Sequence, residues 1–350
     1  MALGLPIIAD ENFIKLGTLD DYTSFIWTTR YYSPGDFELT VGVTENAAAW
    51  LKNGNYVLQE GDNTNIGIIE SVEADINEEQ AYLIIARGRF LPAILGRRII
   101  AEQTQLNGNL ASGIYSLIDD AIISPVISAR QIDNFVIDRS YEGTETVDAQ
   151  FTGDNLLEAI SNLCLEYDLG FNVKYENGYF AFFLYKGEDR SYAQDVNPHV
   201  IFSDQYGNLL SAQLIEDTEN KVTDVLVAGE GEGLDRRTVW VSNSEEPTGI
   251  ERFELYADSR QIRSNDGAIS DEQYMLQLAE EGREDLTEYT TAFSGVVDFI
   301  NVVYGVDVFM GDICTVENSK LGKYVNARLV EVIESIDESG KYTILPTFGI

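Results

Sequence analysis

Residues 25–41 alternate around a Pro-Gly pair, and that pattern commits this part of the chain to a β-hairpin. Phe25, Trp27, Thr29 and Tyr31 share one face of the first limb. Phe37, Leu39 and Val41 share one face of the second, with Glu38 and Thr40 opposite. Strand side chains alternate between faces, so both limbs can turn an apolar face to one core. Pro34-Gly35 suits the centre of a type II turn, because Pro presets φ and Gly accepts a positive φ. Arg30 falls on the face opposite Trp27, where an acidic partner is expected. The stretch WTTRYYSPGDFELTV also poses a functional question. Aromatics beside an Arg form either a platform for a sugar or nucleobase or the packed face of a hairpin.

The β pattern holds from residue 5 to 88, with the apolar runs GIIESVEADI and QAYLIIARGR. FLPAILGRRII, with Pro in its first turn, predicts a short helix. Ile114, Leu117, Ile118, Ala121 and Ile122 form one helical stripe. Asp154 is the expected N-cap of the next helix, whose apolar face is Leu156, Leu157, Ile160, Leu163 and Tyr167. Gly170 stands where a C-terminal glycine belongs, and Glu-Asn-Gly then joins two strands as a hairpin. β patterns return through KVTDVLVAGEG, RRTVWVSN and IERFELYAD. A charged helix is expected over 264–290, with a Ser270–Gln273 capping box and a stripe of Met275, Leu278, Ala279, Leu286 and Tyr289. The last 55 or so residues are β, with tight turns at Gly311-Asp312 and Gly340. The layout predicts a mainly β protein with α+β insertions: two antiparallel barrels or sandwiches, each interrupted.

Charge narrows the function. The 59 Asp and Glu against 23 Lys and Arg leave a net charge of -36, which repels phosphate backbones and anionic membranes. No apolar run reaches the length of a spanning helix, and the N-terminus lacks a basic signal-peptide start. Cys164 and Cys314 each lie in an apolar run and read as buried thiols. The single histidine, His199, cannot supply a histidine-rich zinc site, and it follows Pro198 as an ordinary structural residue. Abundant carboxylates make any acid pair uninformative, and nothing joins Trp27, Trp50 or Trp240 to particular acids. AGEGEGLDRR lacks the Gly-Lys-Ser/Thr ending of a phosphate loop, and Glu230 and Glu232 would repel phosphate. It reads as a hinge between β regions. GDNTN and SNDGAISDE are acidic but do not match the spacing of a calcium loop. No catalytic, cofactor-binding or metal-binding residue is assigned.

Several stretches in order resemble a known family. They are WTTRYYSPGDFELTV, ARGRFLPAILGRRII, VAGEGEGLDRR, YGVDVFMGDICTVEN and the ending SGKYTILPTFG. Together they resemble the tail-tip hub proteins of phages with long non-contractile tails. The family's second motif is matched by Gly88, Arg89, Leu91, Ile94, Leu95 and Arg98. Its Gly-Asp strand is matched by Ile313 and Val316, and the likeness runs from about residue 10 to 350. The resemblance implies two β-barrel hub domains per chain, similar to the trimeric baseplate hub of contractile-tailed phages. It implies a homotrimeric ring around the DNA channel, in a virion tail tip, with the chain made in the host cytoplasm.

On that basis residues 1–98 are expected to form the first barrel, with strands near 200–232 returning to it. Residues 99–199 would be an α/β insertion, and 233–350 the second barrel with the helical insertion 264–290. Implied partners are the distal tail protein, the tape measure protein and fibre or spike proteins. DNA would pass without specific binding, and no cofactor or enzymatic activity is expected. Trp27 and Tyr31 would pack in the barrel or at a subunit seam. The alternatives are a carbohydrate- or receptor-binding tail protein using exposed aromatics and, less favoured, an acidic glycan hydrolase.

Overall fold

The computed structural model describes residues 3–75, 82–217, 221–242, 247–264, 269–286, 290–297, 302–320 and 322–349. The chain forms two units, Met1–Ala212 with Ser294–Ile350, and Gln213–Phe293.

The predicted hairpin is present. Its strands Tyr22–Arg30 and Asp36–Gly42 are antiparallel, with Trp27 opposite Phe37 and Phe25 opposite Leu39. All four side chains are buried, with Ile8, Val57 and Phe90 in the same core. The turn differs from expectation, because Gly35 does not adopt a positive φ. Its lack of a side chain serves close approach instead. A Cβ there would lie 2.1 Å from the Thr28 carbonyl oxygen and 2.5 Å from the Phe90 ring. Arg30 has two acidic partners, Asp36 at 2.5 Å and Glu331 at 2.7 Å.

The first unit is built on a ten-stranded sheet in which the chain's two ends meet. Strand Lys323–Ile336 pairs antiparallel with Tyr22–Arg30 on one side and Tyr342–Gly349 on the other. A four-stranded sheet, in the order Lys15–Thr18, Pro6–Ala9, Tyr56–Gln59, Asp62–Ile68, supplies Ile8 and Val57 to the hairpin core. The architecture is mainly β, as predicted, but none of the sheets closes into a barrel among the described residues. Long-range pairing of Lys323–Ile336 with Tyr22–Arg30 joins strands from the two ends in one wide sheet.

A second core of the first unit joins helices Leu110–Ile118 and Leu156–Glu166 to the strands Gly170–Glu176 and Tyr179–Tyr185. The predicted stripe Ile114, Leu117, Ile118, Ala121, Ile122 is wholly buried. FLPAILGRRII does hold a helix, the 3-10 segment Leu91–Arg97 with Pro in its first turn. The Asn177-Gly178 turn has positive φ at both residues, as a tight hairpin needs. The two ends of helix Leu156–Glu166 depart from expectation. Asn155, not Asp154, caps it, its Oδ1 accepting from the Leu157 and Glu158 amides. Asp168, with φ of 57°, takes the left-handed position expected of Gly170.

The second unit is a three-stranded sheet, in the order Thr238–Ser242, Asp224–Ala228, Glu254–Asp258, which packs against helix Asp271–Glu284. The Ser270–Gln273 capping box is formed. The helix is shorter than the predicted 264–290, and Tyr289 of its stripe lies outside the described residues. Its largest buried side chain, Tyr274, was not in the predicted stripe. The Tyr274 hydroxyl accepts from the Glu230 amide at 2.8 Å and donates to the Ile262 carbonyl at 3.2 Å. Residues 228–237 are not a hinge between β regions: they connect two antiparallel neighbours of this one sheet.

Candidate functional site

Two of the family-like motifs, the hairpin and the Gly-Asp stretch, meet at the junction around Tyr31. Tyr31 leaves the hairpin and is fully buried, 0% exposed. Its ring lies against the backbone of Gly170 and Gly311, where a Cβ would come within 2.4 and 2.3 Å of it. This close fit is why a glycine opens strand Gly170–Glu176 and why another precedes Asp312. The Tyr31 hydroxyl accepts from the Gly187 amide at 3.3 Å and faces the Asp168 and Tyr185 carbonyls at 3.4 and 3.5 Å. Burial pushes its ionisation up to about 12.

Charged groups lock the same joint. Tyr32 donates to Asp168 Oδ1 at 2.7 Å, and Arg328 pairs with Asp168 Oδ2. The Arg328 guanidinium also donates to the Gly311 carbonyl and lies over the Tyr31 ring, 5.4 Å from its centroid. Burial, then the bond to Asp168, holds the Tyr32 hydroxyl well above its ordinary range. Asp312 of the Gly-Asp motif is buried and accepts from Arg190 Nε at 2.7 Å. It also accepts from the amides of Glu188 at 2.8 Å and Phe309 at 2.9 Å. Beside this joint lies a cavity of about 560 Å³ lined in part by Trp27, Thr29, Tyr185, Tyr304 and Glu334. Burial pushes the Glu334 carboxyl up, while the Tyr342 hydroxyl at 2.7 Å opposes that shift.

The chemistry of this arrangement is that of a fastening. Phenols held above their ordinary range keep their protons, and each named carboxylate already accepts protein hydrogen bonds. Elsewhere, the His199 ring is 2.6 Å from the Gln194 carbonyl oxygen within an irregular loop. Cys164 and Cys314 are free and buried, and burial raises both thiols. Glu230 accepts from the Ser264 amide and pairs with Arg237. The Asp62 carboxylate of GDNTN accepts from the Thr64 and Asn65 amides. SNDGAISDE lies partly outside the described residues. No group of three metal-ligating side chains occurs among the described residues. Trp27 is 1% exposed, whereas Trp240 is 49% exposed.

Of the second motif, Gly88 and Arg89 sit on strand Leu83–Arg89. Leu91, Ile94 and Leu95 are buried in the second core. Arg98 donates to the Arg130 carbonyl at 2.9 Å. On strand Ile313–Asn318, Val316 is buried. Asp168 and Arg328 were missed by sequence reasoning. A lone Asp after a helix carries no signal, and its arginine partner is 160 residues away.

The fold is shared with solved tail proteins. One is the tail protein from Neisseria meningitidis, 15% identical, TM-score 0.59, covering 98% of this chain and 96% of that one. A second is the prophage tail protein gp18 from Listeria monocytogenes, 15% identical, TM-score 0.56, covering 98% and 94%. A third is the 43 kDa tail protein of prophage MuSo2 from Shewanella oneidensis, 13% identical, TM-score 0.60, covering 99% and 98%. None of the curated proteins matches the sequence. The family described as Siphovirus ReqiPepy6 Gp37-like protein matches residues 6–350, and the chain belongs to it.

Proposed function

We propose that the protein is a structural, non-enzymatic component of a phage or prophage tail tip. Three copies form a hub ring around the DNA channel. The ring joins the tail tube and distal tail protein to the fibre or receptor-binding apparatus, with the tape measure protein as a further neighbour. The observation that carries this reading is the fold match to three tail proteins over 98% or more of the chain. In this reading the strands of 1–98, with those near 200–232 returning to them, and of 233–350 become the barrel walls of the ring, with 99–199 and the helical stretch 264–290 as insertions. The net charge of -36 fits a surface past which a phosphate backbone slides without sticking.

The test is assembly with the cognate distal tail protein. Electron micrographs and mass measurement of the mixture should give a three-fold ring. Co-assembly with any other symmetry, or failure to co-assemble, overturns the hub reading.

A further inference from the structure

The sheet of the second unit has two unlike faces. One carries Val225, Val227 and Val241 and is covered by Tyr274 and Leu278 of the helix. On the other face, Leu226 is paired directly with Trp240 on one side and Tyr256 on the other. The three therefore form one row across the sheet. Trp240 is 49% and Tyr256 55% exposed. They stand two strand spacings apart, about 9–10 Å.

The row is braced. Arg252 lies over the Trp240 ring, 5.1 Å from its centroid, and pairs with the fully buried Asp224 at 2.6 Å. Asp224 in turn accepts from Thr223 Oγ1 at 2.7 Å and from Ser242 Oγ. Arg236 lies over the Tyr256 ring at 5.7 Å, donates to its hydroxyl at 2.6 Å and pairs with Asp258. Each arginine is thus held by a carboxylate; Arg252 backs the Trp240 ring, and Arg236 holds the Tyr256 hydroxyl. Fixed rings lose little freedom when a ligand stacks on them.

We propose that this face binds a neutral oligosaccharide chain, with Trp240 and Tyr256 stacking against its pyranose rings. Three features favour a saccharide. The half-exposed rings offer only about 200 Å², against about 800 Å² per partner in a stable protein interface. The guanidinium and carboxylate groups are mutually neutralised, so the face does not select a charged ligand. The aromatic rings are flanked by a hydroxyl, guanidinium N–H groups and carboxylates, the donors and acceptors that sugar hydroxyls pair with. The inference is independent of the hub reading, since it uses only side chains of the second unit.

The experiment is calorimetric titration and saturation-transfer NMR of the full chain with cellotetraose, maltotetraose and chitotetraose. At least one should bind, and Trp240→Ala should weaken it about tenfold or more, a loss of about 1.4 kcal/mol. Trp240→Phe, which keeps an aromatic face, should lose much less, and this conservative variant guards against a folding artefact. Absence of binding by the parent chain to all three overturns the proposal, as does equal binding by Trp240→Ala. If Trp240→Ala instead lowers the oligomeric mass and no sugar binds, the face is a protein contact and the proposal falls. The mass of the parent assembly reads the hub proposal separately.

Discussion

The Tyr31 junction and the Trp240 face use the same parts to opposite ends. Each has an aromatic ring, an arginine lying over it and an aspartate holding that arginine. At Tyr31 the ring is also enclosed by the backbones of Gly170 and Gly311, and nothing of it reaches solvent. At Trp240 half of the residue stays exposed. The difference teaches that an aromatic–arginine–carboxylate set is not itself a site. Covered, it is cement; uncovered and braced, it is a surface. The ambiguity of WTTRYYSPGDFELTV is resolved by the cover: its Trp and first Tyr are packed.

Four measurements would break or sharpen that contrast. The largest effect is expected from Tyr31→Ala, which empties a site walled by glycine backbone that cannot collapse. It should cost about 3–5 kcal/mol of unfolding free energy by denaturant titration. Trp240→Ala should cost under about 1 kcal/mol in the same assay, as a surface change; equal losses would erase the distinction.

Next comes Asp224→Ala. It removes a fully buried carboxylate, the acceptor of Thr223 and Ser242, and takes one acidic partner from Arg252, which keeps Glu254, at about 2–3 kcal/mol. The loss should appear in hydrogen exchange of strand Asp224–Ala228 while amides of the hairpin strands stay protected. Exchange rising equally in both units would contradict this local assignment.

Tyr31→Phe follows, at about 1 kcal/mol. It deletes only the hydroxyl that accepts from the Gly187 amide. A loss as large as that of Tyr31→Ala would mean the hydroxyl, not the enclosed ring, holds the joint.

The smallest effect is pH-linked. Burial raises the folded-state pKa of Glu334 above its ordinary 4.5. The folded state then holds the proton more tightly than the unfolded chain, so this group's contribution to stability falls as pH rises from 4.5 through the raised value. Glu334→Gln removes that penalty. Its melting temperature relative to the parent should climb across this window and level off above it. A difference that stays flat or declines with rising pH would mean that the folded-state pKa of Glu334 is not raised.

Much of the local structure was legible in the residues themselves. The hairpin faces, the Ile114–Ile122 stripe, the Asn-Gly turn and the Ser270 capping box are patterns of near neighbours, and each formed as read. The errors share a cause. The turn and cap readings of Gly35 and Gly170 rest on what each residue does for its own backbone, whereas their places are set by Phe90 and Tyr31, groups remote in sequence. Asp168, on which the sequence is silent, is likewise held by the distant Arg328. Tyr274, four residues before Leu278, shares its buried face by plain periodicity, but the partners of its hydroxyl, Glu230 and Ile262, are ones no periodicity reveals.

By itself the sequence determined the mainly β character, the charge that repels phosphate, the residue types each local element needs and, through motifs in order, the family. Side-chain alternation, capping and turn preferences act over a few residues, so they survive in the linear text. Only the tertiary structure decided that the two chain ends share one open sheet, that Tyr31 is sealed and that Trp240 is not. Those outcomes depend on which distant backbone comes to lie over a ring, and burial is a property of the whole packed arrangement rather than of any window of residues.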